Sequence, residues 1–252
     1  MYLKRVKYRN VLGELVFDGH YLYCEEIDCC GVGTIANTEQ LINSHGTVTS
    51  SVCLAGRSVP CRFKLVDKDG DPYLRERVVR VLSPLIEGEL EVQTELAAYT
   101  IKCRPTEMPV IRRTDVFYVW QWDTVFYADY PLWQRGSITH EADTVPYNDI
   151  TVFSVSGVEI PLKLRFYSDV SLFFNKTQGS RMNLQNFPVG ADWVEVNTKN
   201  LTVYDNNGTD RSNCIDPEYN IGSIRLLPGE NVIYSTTSVI RMMWNDYSLG
   251  VI

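Results

Sequence analysis

Three short stretches of the sequence carry residue types that could do chemistry. His20, Cys24, Cys29 and Cys30 gather soft ligands, and zinc would take four of them in a tetrahedron. They include no Cys-x-x-Cys pair, and the neighbours Cys29 and Cys30 point to opposite sides of an extended chain. Asp67, Asp69 and Asp71 present carboxylates at alternate positions, as a calcium loop does, but Pro72 stands where such a loop needs glycine and Val78 where it needs glutamate. Gly31-Val32-Gly33-Thr34-Ile35-Ala36 satisfies the glycine pattern that lets a backbone approach a pyrophosphate, yet no acidic residue follows about 20 positions later to hold a ribose. The histidines are His20, His45 and His140, and no Gly-x-Ser-x-Gly elbow accompanies them. Paired carboxylates for glycoside hydrolysis are defined by separation in space and leave no spacing to read. The expectation is therefore no catalytic site, no metal and no cofactor.

Binding is the stronger prospect. Trp193-Val194-Glu195-Val196-Asn197 alternates as a strand with one buried face must. If Val194 and Val196 face a core, Trp193 and Glu195 point away from it. An outward aromatic beside a carboxylate can stack a sugar or a partner's side chain, so Trp193 and Glu195 are the candidate contact residues.

The elements that would position them are strands. Turn signals place a hairpin on either side of Asp18-Gly19, with strands over 11–17 and 21–28, and a second around Ala55-Gly56-Arg57, with strands over 47–54 and 58–66. A short helix is expected near 39–43. The firmest helix begins at Pro72 behind an Asp71 cap, with Leu74, Val78, Val81, Leu82 and Leu85 at helical spacing and Arg75, Glu76, Arg77 and Arg80 on a solvated face. Strands follow over 88–94 and 96–104, and a long one over 114–128 carries bulky residues on both faces: Tyr118, Trp120, Trp122 and Phe126 on one, Phe117, Val119, Val125 and Tyr127 on the other. Such a strand needs cover on each side. The polar stretch 137–146 reads as a linker between an N-terminal domain, 1–136, and a C-terminal one, 147–252, whose short strands and turns suggest an all-β sandwich.

With 44% hydrophobic and 22% charged residues the chain resembles an ordinary globular protein. Its net charge of −7 argues against a nucleic-acid surface as its main function. No secretory signal or transmembrane run is evident, so the seven cysteines, an odd set, are expected to be reduced.

Two regions resemble the distal tail proteins of siphophages. The first is Met182-Asn183-Leu184, a turn ending in Gly190, the strand to Thr198, and Leu227-Pro228-Gly229-Glu230-Asn231 leading into the last strands. The second is Phe126-Tyr127-Ala128-Asp129-Tyr130-Pro131-Leu132-Trp133, similar to that family's Asp-Pro-aromatic exit, with Tyr130 inserted. The resemblance implies a mainly β chain: a ring-forming N-terminal β domain with one helix, then a C-terminal galectin-like β-sandwich. It further implies a structural protein of a phage or prophage tail tip, a homo-hexamer in a virion assembled in the host cytoplasm. The implied partners are the tail tube protein, the tail-associated tip protein and, at the side, receptor-binding proteins or cell-wall glycan. A stand-alone carbohydrate-binding module is the alternative. Alkylation of the denatured, unreduced protein is expected to add seven adducts by mass; fewer on fresh material would contradict the free-thiol assignment.

Overall fold

In the computed structural model, which describes residues 3–40, 47–67 and 72–251, the chain divides into a first unit, Met1–Gly136 with Leu249–Ile252, and a second, Ser137–Ser248. The basic start of the chain conceals a strand. β1 (Leu3–Asn10) buries Val6 and Tyr8, while Lys7 and Arg9 on its other face meet Glu91 at 3.1 Å and Glu89 at 2.8 Å. β1 pairs with β2 (Gly13–Phe17), so the hairpin closes over Val11 and Leu12. The turn at Asp18-Gly19 does form, with the His20 amide donating to the Asp18 carboxylate. It does not join a hairpin, because β3 (Leu22–Ile27) pairs elsewhere. Turn chemistry reverses the chain without specifying which sheet receives the next strand.

The same correction applies further on. β4 (Thr34–Gln40) and β5 (Thr47–Leu54) pair with each other, and β6 (Arg57–Val66) pairs with β3, so no hairpin surrounds Gly56. The helix expected near 39–43 is strand as far as Gln40; its remainder lies outside the described residues, as does the Asp71 cap. α1 (Pro72–Val81) sinks Val78 and Val81 into the core, as its spacing requires, and Leu82 follows them just beyond its end. Leu85, past the helix, is exposed.

β7 (Gly88–Thr94) lies between β1 and β8 (Ala98–Pro105). β9 (Arg112–Arg113) and β6 flank β10 (Val119–Ala128). Residues 114–118 form a turn rather than the start of the long strand, with the Thr114 hydroxyl donating to the Val119 carbonyl. The two antiparallel sheets, β2-β1-β7-β8 and β3-β6-β10-β9, meet at β8 and β10. Aromatic rings join them: Phe17 stacks on Phe63 at 4.1 Å, and Tyr8 lies 4.8 Å from Phe126. β10 buries Trp122, Thr124, Phe126 and Ala128, whereas Asp123 and Tyr127 on its other face are exposed.

The end of the chain completes this unit. Arg57 is 1% exposed, and its guanidinium donates to the carbonyls of Cys29, at 2.8 Å, and Leu249. The Trp133 indole donates to the same Cys29 carbonyl, and Val251 is buried with the core. Burial lowers the Arg57 pKa from its ordinary value; two carbonyls in place of water keep the cation tolerable. The last residues thus pack with the first unit rather than with the sandwich expected over 147–252.

In the second unit, the stretch expected as a linker is strand up to Asp143, part of β11 (Trp133–Asp143), which lies beside the final strand. Polar residues misled the reading because Thr139 and Asp143 pair with Asn245 and Arg241 on that neighbour. β12 (Asp149–Ser154), β13 (Ile160–Pro161), β14 (Lys163–Phe166), β15 (Val170–Asn175), β16 (Ser180–Leu184), β17 (Val194–Asn197), β18 (Thr202–Asp205), β19 (Arg225–Leu226), β20 (Gly229–Ser235) and β21 (Ile240–Ser248) follow. They form the sheets β18-β17-β14-β21 and β12-β20-β15-β16, with β13-β19 as a small third. Leu164, Phe166, Val194, Val196, Phe173 and Ile233 are fully buried between them. The Leu-Pro-Gly-Glu-Asn turn is organised by Asn231, itself fully buried, whose amide accepts from the Leu227 N–H and donates to the carbonyls of Leu227 and Gly229. Gly229, at φ +85°, occupies a conformation that favours glycine.

Arg57→Leu is expected to leave the Leu249 carbonyl without its partner, while the Cys29 carbonyl keeps the Trp133 indole, and to lower stability by about 1–3 kcal/mol, read as an earlier denaturation midpoint. An unchanged midpoint would mean that water replaces the guanidinium.

Candidate functional site

The outward face of β14, β17 and β18 holds both residues singled out from the sequence. Val194 and Val196 are fully buried, so Glu195 and, just before the strand, Trp193 lie on the opposite side. Neither is a free platform. Arg165 on β14 stands directly across from Glu195, donates to its carboxylate at 2.8 Å and places its guanidinium 4.5 Å over the Trp193 ring. Lys163 Nζ is 3.9 Å from the same carboxylate. A sugar or side chain stacking on that indole face would have to displace Arg165 or stack on it. Arg165 escaped the sequence reading because its partner lies on a strand that is adjacent only in the fold; the alternation of Lys163 and Arg165 with Leu164 and Phe166 was the available signal.

The row continues across the sheet. Tyr204, 45% exposed, lies opposite Glu195, and Arg241 lies opposite Arg165. Two cations placed directly across from each other repel, and each is matched by its own carboxylate: Glu195 for Arg165, Asp143 for Arg241. The hydrogen bond from Arg241 holds the Asp143 carboxyl below its ordinary pKa and raises that of the arginine.

Trp193 is held by a loop. The Asn206 amide donates to the Trp193 carbonyl at 3.2 Å, and the Asn206 side chain exchanges hydrogen bonds with Asp192. That loop is pinned by Asp205, whose carboxylate accepts from the amides of Thr209 and Asn207 and from Arg211. The Thr209 N–H above all, with Arg211, depresses the Asp205 pKa.

Among the described residues the other sequence candidates do not assemble into a site. Gly31 and Gly33 lead into β4, a strand, so no helix N-terminus is offered to a phosphate. Cys29 is buried and Cys30 exposed, and burial pushes the thiols of Cys24 and Cys29 up to about 12, which keeps them protonated. Among the described residues no group of His, Cys, Asp and Glu could hold a metal ion. Asp67 is buried, while Asp69, Asp71, His45 and the Cys53 side chain lie outside what is described. Among the described residues Cys24, Cys29, Cys30, Cys61, Cys103 and Cys214 are free thiols. Sequence reasoning also missed His140, whose Nε2 lies 2.8 Å from Asp246 Oδ2 and whose ring stacks on Trp244. No helix among the described residues is long and apolar enough to cross a membrane.

A β-sandwich carrying one helix, followed by a second sandwich inserted before the last residues, defines an all-β, two-unit class of protein. SPP1 Dit, described as a paradigm of the hub adsorption apparatus in phages infecting Gram-positive hosts, shares this fold: TM-score 0.69 and 13% identity over 96% of this chain and 98% of that one. A chain of the phage P2 baseplate in its activated conformation with calcium gives TM-score 0.51 and 11% identity over the whole of both. No family model and no curated protein matches the sequence.

Arg165→Ala is expected to raise quenching of tryptophan fluorescence by neutral acrylamide while costing about 1 kcal/mol or less, since the pair is partly exposed. Unchanged quenching would mean that the guanidinium does not shield the indole. Because the Asp205 pKa is depressed on folding, its contribution is present above the ordinary carboxylate range and lost as pH falls through the folded value. Asp205→Asn should therefore destabilise the protein near neutrality, and the gap from the parent should close on acidification. A pH-independent gap would contradict the assignment.

Proposed function

We propose that this chain is a structural protein of a phage or prophage tail tip, acting through interfaces rather than catalysis. One observation carries the reading: the fold match to SPP1 Dit extends over 96% of this chain and 98% of that one, both units included. In this reading six copies close into a hub ring in the virion, with the tail tube protein and the tail-associated tip protein as its axial partners. The first unit supplies the ring contacts. The outer face of β10 supports that role, since Asp123 and Tyr127 there are exposed. The second unit supplies the lateral contacts, to receptor-binding proteins or cell-wall glycan, with Trp193 and Glu195 as the contact residues and Arg165 as their movable cover.

The second reading, a carbohydrate-binding module acting alone, is favoured by the same Trp193, Glu195 and Tyr204 surface. Light scattering at micromolar concentration followed by class averages of negatively stained particles separates the two. Six-fold rings, or association that strengthens with concentration toward six copies, are expected. A strict monomer at every concentration, even with tube and tip partners added, would overturn the ring and leave the stand-alone module, which a glycan array on the parent and Trp193→Ala would then test.

A further inference from the structure

Two guanidinium groups in the first unit rest on aromatic rings and, among the described residues, have no carboxylate partner. Arg75 on α1 lies 4.6 Å over Trp120, and Arg113, whose register partner is Trp120, lies 4.2 Å over Phe117. Phe117 is 78% exposed. Among the described residues neither arginine has an acidic group within ion-pair distance, and Arg75 Nε is buried without a hydrogen-bond partner. In a chain of net charge −7 this is a local reversal. A guanidinium held flat on a ring keeps its in-plane N–H groups free for a carboxylate.

The complementary surface is on the same unit. A cleft of about 360 Å³ is lined by Glu26, Asp28 and Asp123, with Ile27, Pro60 and Val125 as its apolar wall. Arg62 is shared between Glu26, at 3.1 Å, and Asp123, at 2.9 Å, so the acids outnumber their cation. Both acid side chains are about two-thirds exposed or more. Trp120 and Asp123 have opposite parity along β10 and therefore lie on opposite faces of the sheet. One copy cannot bring its own patch to its own cleft, but two copies can meet head to tail.

We propose that the Arg75, Arg113 and Phe117 patch of one copy docks into the Glu26, Asp28 and Asp123 cleft of the next, the arginines meeting the carboxylates and the Phe117 ring meeting the apolar wall. The contact is heterologous, and repetition of it closes a ring or continues as a filament. This rests on the ring reading and names its interface.

The test uses the full-length chain. Arg113→Glu, the milder Arg113→Gln, and the pair Glu26→Lys with Asp123→Lys alter exposed residues, and circular dichroism checks that each folds. The concentration at half-assembly, measured by sedimentation velocity, is expected to rise by about tenfold or more for each charge reversal, the equivalent of about 1.4 kcal/mol, and by less for Arg113→Gln. The chain carrying all three reversals should recover. So should an equimolar mixture of the Arg113→Glu chain with the Glu26→Lys, Asp123→Lys chain, because position 113 then meets the opposite charge at every junction. If the parent forms rings and the reversals leave the midpoint within twofold, the patch and cleft are not the interface. Loss without recovery in the combined chain or the mixture would show that the arginines meet a different surface, and would overturn the pairing. A parent chain that never associates, even with tube and tip partners added, would overturn the ring reading itself.

Discussion

Period-two alternation along β10 is the constraint on which the first unit depends. Its buried Trp122 and Phe126 enter the ring-to-ring contacts that hold the two sheets together, with Thr124 and Ala128 buried on the same face, and a slip of one residue would exchange this set for Asp123, Val125 and Tyr127. Gly56 helps keep that register, because any side chain there would overlap the Tyr127 ring. The same alternation leaves an outer face that the unit covers only in part, with Asp123 and Tyr127 exposed. Ion pairs such as Arg62 with Asp123 and Lys64 with Glu25 keep it solvated in a single copy, and surface pairs of this kind contribute little to stability. They are therefore available to exchange partners at small cost.

Against this background the buried Arg57 has a different role. Its charge is matched by main-chain carbonyls brought from far apart in the sequence, at Cys29 and Leu249. An arginine so placed ties the end of the chain to the first sandwich. The second unit is thereby an insertion between Gly136 and Leu249, held by two covalent connections.

Much of this was legible from residue order. The strand over 88–94, the strand through 193–197, the helix from Pro72, and the burial of Val194 and Val196 followed from periodicity and turns. What escaped has physical causes. Lys7 and Arg9 masked β1 because their carboxylate partners sit on β7. The pairing of β2 with β1 rather than β3, and of β5 with β4 rather than β6, depends on which sheet accepts a strand, and local turn chemistry is silent on that. Of the candidate site, Trp193 and Glu195 were readable from alternation, but Arg165 lies on a separate strand and could be joined to them only by the sheet register. The arginine over Trp120 was hidden similarly: a basic helix face reads as solvated until a neighbouring ring is seen beneath it.

The central claim is that the chain works through the face of β10 and the turn preceding it, by contact with another copy. Hydroxyl-radical footprinting of dilute and of concentrated protein, resolved by peptide mass, tests it directly. Phe117 and Tyr127 should lose reactivity as concentration rises, while Tyr204 and Phe153 in the second unit keep theirs. Protection of Tyr204 and Phe153 with Phe117 and Tyr127 unchanged would contradict the account and move the interface to the second unit.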